Sequence, residues 1–456
     1  MGSEMCIRDS CEGAMMAGGG IRKVAEAARA AYLALLGCTE EDKNAALRGM
    51  IAALARRRGE ILAANARDCA AADELVAAGR LTAALRARLV FDDAKLAGAV
   101  AGLEQVLRLP DPANRVLWTM ELDEGLTLRR VSCALGVIGV VFESRPDVVV
   151  QVSGLLLKAG NAGILKGGKE AQATNAALMA ALREGLAASP AVSVDALQLL
   201  STREEVRELL ACDAEVDLLI PRGGKELVKQ IQAGTRIPVL GHADGVCHVY
   251  VHEAADLAKA QRIVVDAKTE YPAVCNAAET VLFDRGGAAR LLPPVVRALM
   301  AEGVEVRGCP ETRALVPEAG AAGEDAWSAE YLDLIASVRV VADLAAAAAH
   351  INRYGSHHTD AIVTEDEAAA AYFCRYVDSA GVFVNASTRF ADGFRYGLGA
   401  EIGISTGKIH ARGPVGLEGI VTYKYELRGA GHAVGDYGPG KRSYTHRTPE
   451  PGAGCP

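Results

Sequence analysis

Apolar positions recur at helical spacing from Ile21 to about Leu107. Val24, Ala27, Ala28, Ala31 and Leu35 make one face, and Leu47, Met50, Ile51 and Leu54 make another. The spacing predicts helices throughout that stretch. Beyond it the period changes. Residues 126–131 alternate apolar and polar like a strand, and 134–142 form a nearly continuous apolar run. A helix is predicted over 147–158, a short strand over 163–166 and a helix over 170–186, with further strands at 196–200, 216–220 and 237–240. Strands that are apolar on both faces and alternate with helices belong to a parallel sheet covered on two sides.

A second series of the same kind follows. A helix over 255–268 precedes strands at 279–283, 338–341, 361–364 and 382–385, again with helices between them. Residues 419–427 alternate and read as a late, exposed strand; such a strand needs a partner and suits sheet extension between subunits. The first twenty residues show neither period and are expected to be a disordered leader or a gene-assembly scar, with Met15 or Met16 as the natural start. The tail from about Gly435, rich in glycine, proline and charge, is expected to lie outside the core.

Size and composition narrow the class. At 456 residues the chain exceeds one compact core, so two substantial domains are expected. Half of it is hydrophobic but only 5% is aromatic, a balance that favours alanine-rich helices in an α/β protein over a β-sandwich. The net charge of −8, with both signs mixed, argues against nucleic-acid binding and leaves room for a local cationic pocket. The 11 cysteines are scattered singly, which points to a reducing, cytoplasmic setting. No run of about 18 apolar residues and no export signal is present, so no membrane partner is expected.

Gly160 to Glu170 contains a GxxxxGK match, but Glu170 stands where a hydroxyl would bind magnesium, and the match begins inside a strand. A consistent alternative puts Lys166 at the strand end beside a dinucleotide ribose, with Gly167 giving close approach; a lysine there welcomes a 2′-phosphate. A solvated lysine in a turn is the plain alternative. Pro221-Arg222-Gly223-Gly224-Lys225 joins a strand to a helix and suits a phosphate, or is simply a tight turn. Gly397 to Gly403 misses the GxGxxG spacing and reads as a loop.

Tyr271-Pro-Ala-Val-Cys275-Asn276 is the most informative stretch: a single cysteine in a proline loop between a helix and a strand. Loop placement exposes a thiol and offers backbone N–H donors to an oxyanion, whereas most cysteines are inert small hydrophobes. Ser387, Thr388 and Arg389 follow a buried strand, and Lys408, His410 and Arg412 come soon after; together they could hold a small anion, or serve as caps and surface residues. His357-His358-Thr-Asp360 and the set His242, Cys247, His248 and His252 lack paired metal-ligand spacing, so no metal is expected.

The segments FESRPDVVVQVSGLLLKAGNAGILKGGKEA, IPRGGKELVKQI, YPAVCNAAETVL, INRYGSHHTDAIVTED, VFVNASTRFADG and GLGAEIGISTGKIHARGPVGLEGIVTYKYELRG resemble the γ-glutamyl phosphate reductase family, a branch of the aldehyde dehydrogenase superfamily. The resemblance spans Ile21 to Gly429 and implies an aldehyde dehydrogenase-like fold, with two parallel-sheet α/β domains and a β-flap for oligomerisation. The implied divisions are an NADP-binding domain over 21–254 with a flap segment at about 122–133, a catalytic domain over 255–414, a flap strand over 415–429 and a tail over 430–456. It also implies NADPH-dependent reduction of L-glutamyl 5-phosphate to L-glutamate 5-semialdehyde through a Cys275 thioester, the second step of proline synthesis.

Carried over by resemblance, Lys166, Gly167, Gly223, Gly224 and Glu330 would hold the cofactor. Arg145, Asn276, Ser387, Thr388, Arg389, His410 and Arg412 would meet the acyl phosphate substrate. Aldehyde-oxidising relatives carry a water-activating glutamate; the equivalent stretch here, Leu240-Gly-His242-Ala-Asp244, has none, although His242 and Asp244 stand nearby. The competing expectation is an NAD(P)-dependent aldehyde dehydrogenase that releases a free acid; a dinucleotide-binding protein with a silent thiol is the non-enzymatic one. A homo-oligomer, dimer or tetramer, is implied. So is functional coupling to a separate glutamate 5-kinase, since no kinase segment is present.

Overall fold

The computed structural model describes residues 19–241, 244–398 and 400–448. The leader assigned to the first twenty residues lies almost wholly outside them, as do His242 and the last residues of the tail. The described chain divides into two compact units.

The first unit comprises residues up to Arg222, Ala233–Val239 and the chain from Gly416. It begins with helices α1 (Gly19–Leu35), α2 (Glu40–Arg56), α3 (Arg58–Ala77), α4 (Ala83–Leu89) and α5 (Asp93–Arg108). Thr39 caps α2 in a reciprocal box with Asp42, and Thr82 and Asp92 cap α4 and α5. Strands β1 (Val116–Asp123) and β2 (Leu126–Ala134) come next. β3 (Val137–Phe142), α6 (Asp147–Lys158), β4 (Ala162–Lys166), α7 (Gln172–Leu186), β5 (Leu197–Leu200), α8 (Arg203–Leu209) and β6 (Leu218–Arg222) complete the α/β succession, and α9 (Lys225–Gly234), which follows, belongs mostly to the second unit. The four strands β5-β4-β3-β6 form a parallel sheet, and β3 and β4 are buried at every position. Helix α6 is buried from Val148 to Val150 and from Val152 to Lys158, which is why its sequence carries no amphipathic stripe.

The second unit holds Gly223–Gln232 and Leu240–Val415. In chain order it contains β7 (Cys247–Val251), α10 (Leu257–Thr269), β8 (Ala278–Asp284), α11 (Arg285–Ala301), β9 (Glu305–Gly308), α12 (Pro310–Leu315) and β10 (Gly320–Ala321). Then come β11 (Ile335–Val341), α13 (Leu344–Tyr354), β12 (Thr359–Val363), α14 (Glu367–Tyr376), β13 (Gly381–Val384) and the short pair β14 (Gly403–Ser405) and β15 (Gly413–Val415). Seven strands in the order β10-β9-β11-β8-β7-β12-β13 make a parallel sheet. Helices α10 and α11 pack on one face with Val264, Leu291 and Val295, and α13 and α14 cover the other with Ile351 and Phe373.

A separate antiparallel sheet in the first unit pairs β1 with β2 and β2 with β16 (Val421–Arg428). β2 and β16 coincide with the two segments expected to form a flap, and β1 extends their sheet beyond the predicted segment. The tail fastens onto β1: Arg447 bridges Glu121, the Thr445 N–H donates to the Leu122 carbonyl at 2.8 Å, and Asp123 takes the Tyr437 hydroxyl at 3.0 Å and Arg442 at 2.7 Å.

Three expectations change. Residues 237–240 form no strand; Val239 makes a single bridge to Leu219, because Pro238 cannot donate to a ladder. β7 is a strand that periodicity did not predict; it contains Cys247 and His248, two residues of the set already judged unsuited to a metal, and it lies in the second sheet. The division between units therefore falls near Leu240 and not at 254. Within β7, His248 and Tyr250 are buried through bonds to Asp360 and Asp284, so polar letters masked a core strand.

Candidate active site

Helix α10 ends at Thr269 and β8 starts at Ala278, and the loop between them carries Cys275. The Ala277 N–H closes the turn onto the Val274 carbonyl at 3.1 Å. Cys275 is half-buried, whereas Cys38, Cys69, Cys212, Cys247 and Cys309 are buried. Cys247, on β7, donates its thiol to the Cys275 carbonyl at 3.2 Å, and burial holds that thiol well above its ordinary pKa.

The backbone at Gly245 presses directly on the nucleophile. A Cβ there would stand 2.6 Å from the Cys275 Cβ and closer still to its Cα and carbonyl oxygen. The Gly245 N–H donates to Glu330 Oε1 at 2.9 Å, so the glutamate expected at the nicotinamide ribose also holds the strip beside the thiol. Lys225, in the turn that contains Gly223 and Gly224, pairs with Asp244 at 2.7 Å. A Cβ at Gly224 would meet no atom within 4 Å, so that position of the turn is uncrowded.

Under the loop lies an ion pair that sequence reasoning did not single out. Lys268, at the end of α10, meets Glu279, at the start of β8, at 2.6 Å with both side chains fully buried. Burial pushes the Glu279 carboxyl up to about 7 against the opposing effect of Lys268, and burial lowers the pKa of Lys268. Glu279 also accepts the Leu332 N–H at 3.3 Å, tying the pair to the segment that carries Glu330. The available signal was two opposite charges flanking the cysteine loop.

The expected substrate residues separate into groups. Asn276 donates Nδ2 to the Ala391 carbonyl at 2.9 Å and accepts from Arg389 through Oδ1. Arg389 is further held by Glu270 at 2.7 Å, and Glu270 also takes Arg395 at 3.1 Å. Those cations hold the Glu270 carboxyl below its ordinary pKa. The Asn276 and Arg389 side chains are thus committed to fastening the cysteine loop, and Glu270, unforeseen, anchors them. Ser387 accepts the Arg389 N–H at 3.3 Å and so caps the short turn over Thr388–Phe390. Thr388 is fully buried, and its Oγ1 has no partner among the described residues.

Arg412 binds the carboxylate and carbonyl of Asp378 at 3.0 Å each, and Lys408 reaches the same carboxylate at 2.7 Å. His410 is exposed in the loop between β14 and β15. Among the described residues no three His, Cys, Asp or Glu side chains gather as a metal site.

In the first unit, Lys166 ends β4 and is 8% exposed. Burial lowers its pKa; Glu170 and Glu143 oppose that shift and Arg203 adds to it. Arg203 begins α8 after β5, which pairs with β4, so a second cation stands near Lys166. Gly167 leaves no room for a Cβ, which would collide with Asn175 and stand 2.9 Å from the Phe142 ring. Glu170 accepts from the Ser144 backbone N–H at 3.0 Å and from its hydroxyl, and Glu143 N–H reaches the Arg222 carbonyl at 3.2 Å. These bonds gather the loops after β3, β4 and β6 at the carboxyl edge of the sheet, where open α/β sheets take their ligands. Arg145 is exposed in the first of these loops. Lys166 and Arg203 fit a phosphorylated adenosine ribose.

No protein-family model matches the chain. A γ-glutamyl phosphate reductase of Synechococcus sp. (strain JA-3-3Ab) is 57% identical over 406 residues, 89% of each chain. The crystal structure of γ-glutamyl phosphate reductase from Thermotoga maritima superposes with a TM-score of 0.87 at 39% identity, covering 91% of this chain and 99% of that one. An acetylating aldehyde dehydrogenase from Geobacillus thermoglucosidasius shares the fold, with a TM-score of 0.63 at 17% identity over 92% of this chain and 98% of that one.

Proposed function

The chain belongs to the γ-glutamyl phosphate reductase family, which serves the second step of proline biosynthesis, and we propose that it performs this reduction through a Cys275 thioester with NADPH. The observation that carries the reading is the half-buried Cys275, with the Gly245 backbone pressed against it and linked by hydrogen bond to Glu330.

The Cys275 thiolate attacks the acyl carbon of L-glutamyl 5-phosphate, the C–S bond forms, and phosphate departs with the C–O electron pair. Phosphate is a good leaving group, so no acid is needed to expel it. The Cys275 backbone N–H meets the oxyanion. NADPH, when bound, supplies the hydride that reduces the thioester, after which sulfur leaves as thiolate and the semialdehyde is released. In the first unit Lys166 and Arg203 would hold the ribose phosphate; in the second, Gly223 and Gly224 would suit the pyrophosphate and Glu330 the nicotinamide ribose. Arg389 and Asn276 act by positioning the cysteine loop, while Arg145 and His410 are the remaining candidates for substrate anions. Asp244 is neutralised by Lys225, which disfavours it as a base for thioester hydrolysis. The exposed edge of β16 supports assembly into a homo-oligomer. The labile acyl phosphate is the product of a glutamate 5-kinase, to which this reductase would be functionally coupled.

The test runs the reaction backwards: NADP⁺ reduction with glutamate semialdehyde, with and without inorganic phosphate. Strict phosphate dependence, abolished by Cys275→Ala, is the expected result. Turnover without phosphate would transfer the assignment to an acid-forming aldehyde dehydrogenase.

A further inference from the structure

The chemistry occupies the amino edge of the second sheet, since Cys275 precedes β8. The carboxyl edge has no role in it, yet that is where parallel α/β sheets bind ligands, at a point where neighbouring strands send their connections to opposite faces. β8 and β11 are such neighbours. β8 continues into α11 on one face, and β11 continues into α13 on the other. At their carboxyl ends a cleft of about 580 Å³ opens.

Three guanidinium groups line the cleft: Arg285 directly after β8, Arg339 on β11 and Arg353 on α13. Arg285 and Arg353 are exposed and make no ion pair among the described residues. Arg339 lies over the Trp327 ring at 5.0 Å and donates to His350 Nδ1 at 3.2 Å. A guanidinium only donates, so His350 Nδ1 accepts and its proton sits on Nε2. That N–H is buried and has no acceptor among the described residues, while the His350 side chain is 6% exposed and lines the cleft. Burial, with neighbouring His248, Arg339 and Arg353, pulls the His350 pKa down to about 3, so the ring is a neutral donor at ordinary pH. The lining also contains the carboxylates of Glu324, which accepts the Tyr354 hydroxyl at 2.6 Å, and Glu311. Positive charge remains in excess.

We propose that this cleft is a second ligand site, remote from Cys275, that binds the phosphate group of a small phosphorylated molecule. Arg285 and Arg353 take the phosphate oxygens, and Trp327 and Tyr354 flank the rest of the molecule. The seven residues of β8 put the two edges about 20 Å apart, so the site acts independently of the thiol.

Trp327 is one of two tryptophans, so Trp118→Phe makes it the sole fluorescent reporter. In that background, inorganic pyrophosphate is titrated against chloride of equal ionic strength and against L-glutamate. A saturable change specific to pyrophosphate is expected, unaltered by Cys275→Ala. Arg285→Gln/Arg353→Gln, at two exposed positions that leave the fold intact, is expected to raise the midpoint by more than about tenfold. A flat titration, a response that chloride reproduces, an equal response to glutamate, or an unchanged midpoint in the double variant would each overturn the proposal.

Discussion

Gly245→Ala isolates the geometry of the nucleophile more cleanly than any change to the cysteine itself. Gly245 has no positive φ, so the backbone accepts alanine without strain, and only the new methyl group acts. That methyl would lie 2.6 Å from the Cys275 Cβ, while ordinary contact begins at 3.4 Å. The nucleophile loop and the Gly245 strip must therefore separate by about 1 Å. Either movement displaces Cys275 or releases the Gly245 N–H from Glu330. A misplacement of about 1 Å at a reacting group costs about 100-fold in rate, while overpacking costs about 1–3 kcal/mol of stability. The variant is thus expected to remain folded, with kcat for phosphate-dependent NADP⁺ reduction down about 100-fold. Gly98→Ala serves as the control, because a Cβ there meets nothing within 4 Å. It lies within α5 and is expected to gain about 0.5–1 kcal/mol with kcat unchanged. Stopped-flow turnover and denaturant unfolding measure both quantities. A Gly245→Ala enzyme with native stability and kcat within about threefold of the parent would refute the argument, since the 100-fold effect follows directly from the close approach.

Three further outcomes are expected. Lys268→Met strands a buried carboxylate and should cost about 3–5 kcal/mol, whereas Lys268→Met/Glu279→Leu should recover most of it; denaturation midpoints that fall equally in both would contradict a coupled pair. The folded-state pKa of Glu279, about 7, lies above its ordinary 4.5, so its contribution is fully present below pH 4.5 and is lost as pH rises through 7. Glu279→Gln should remove that fall, which is limited to about 1.4 kcal/mol per pH unit, and parallel stability–pH curves for the two proteins would count against the assignment. Lys166→Met should raise the KM for NADPH by more than about tenfold and leave NADH use nearly unchanged, with Arg203→Gln giving a smaller effect in the same direction; equal losses with both cofactors would remove the 2′-phosphate role.

Local sequence was enough for most elements set by periodicity or by a neighbour in the chain, with the strand expected at 237–240 an exception. The continuous apolar letters of α6 mark a nearly wholly buried helix, and the loop between α10 and β8 leaves its single cysteine only half-buried because a helix must stop and a strand must start there. Membership of the family was legible for the same reason, since its motifs are contiguous. β7 was not legible, because its buried His248 and Tyr250 gain acceptors on β12 and β8 only after the sheet assembles. Nor could the chain reveal which cations are already spent. Arg389 meets Glu270 across 119 positions, and Arg412 meets Asp378 across 34. A guanidinium is free for substrate only if no carboxylate has reached it first, and the folded chain alone decides that.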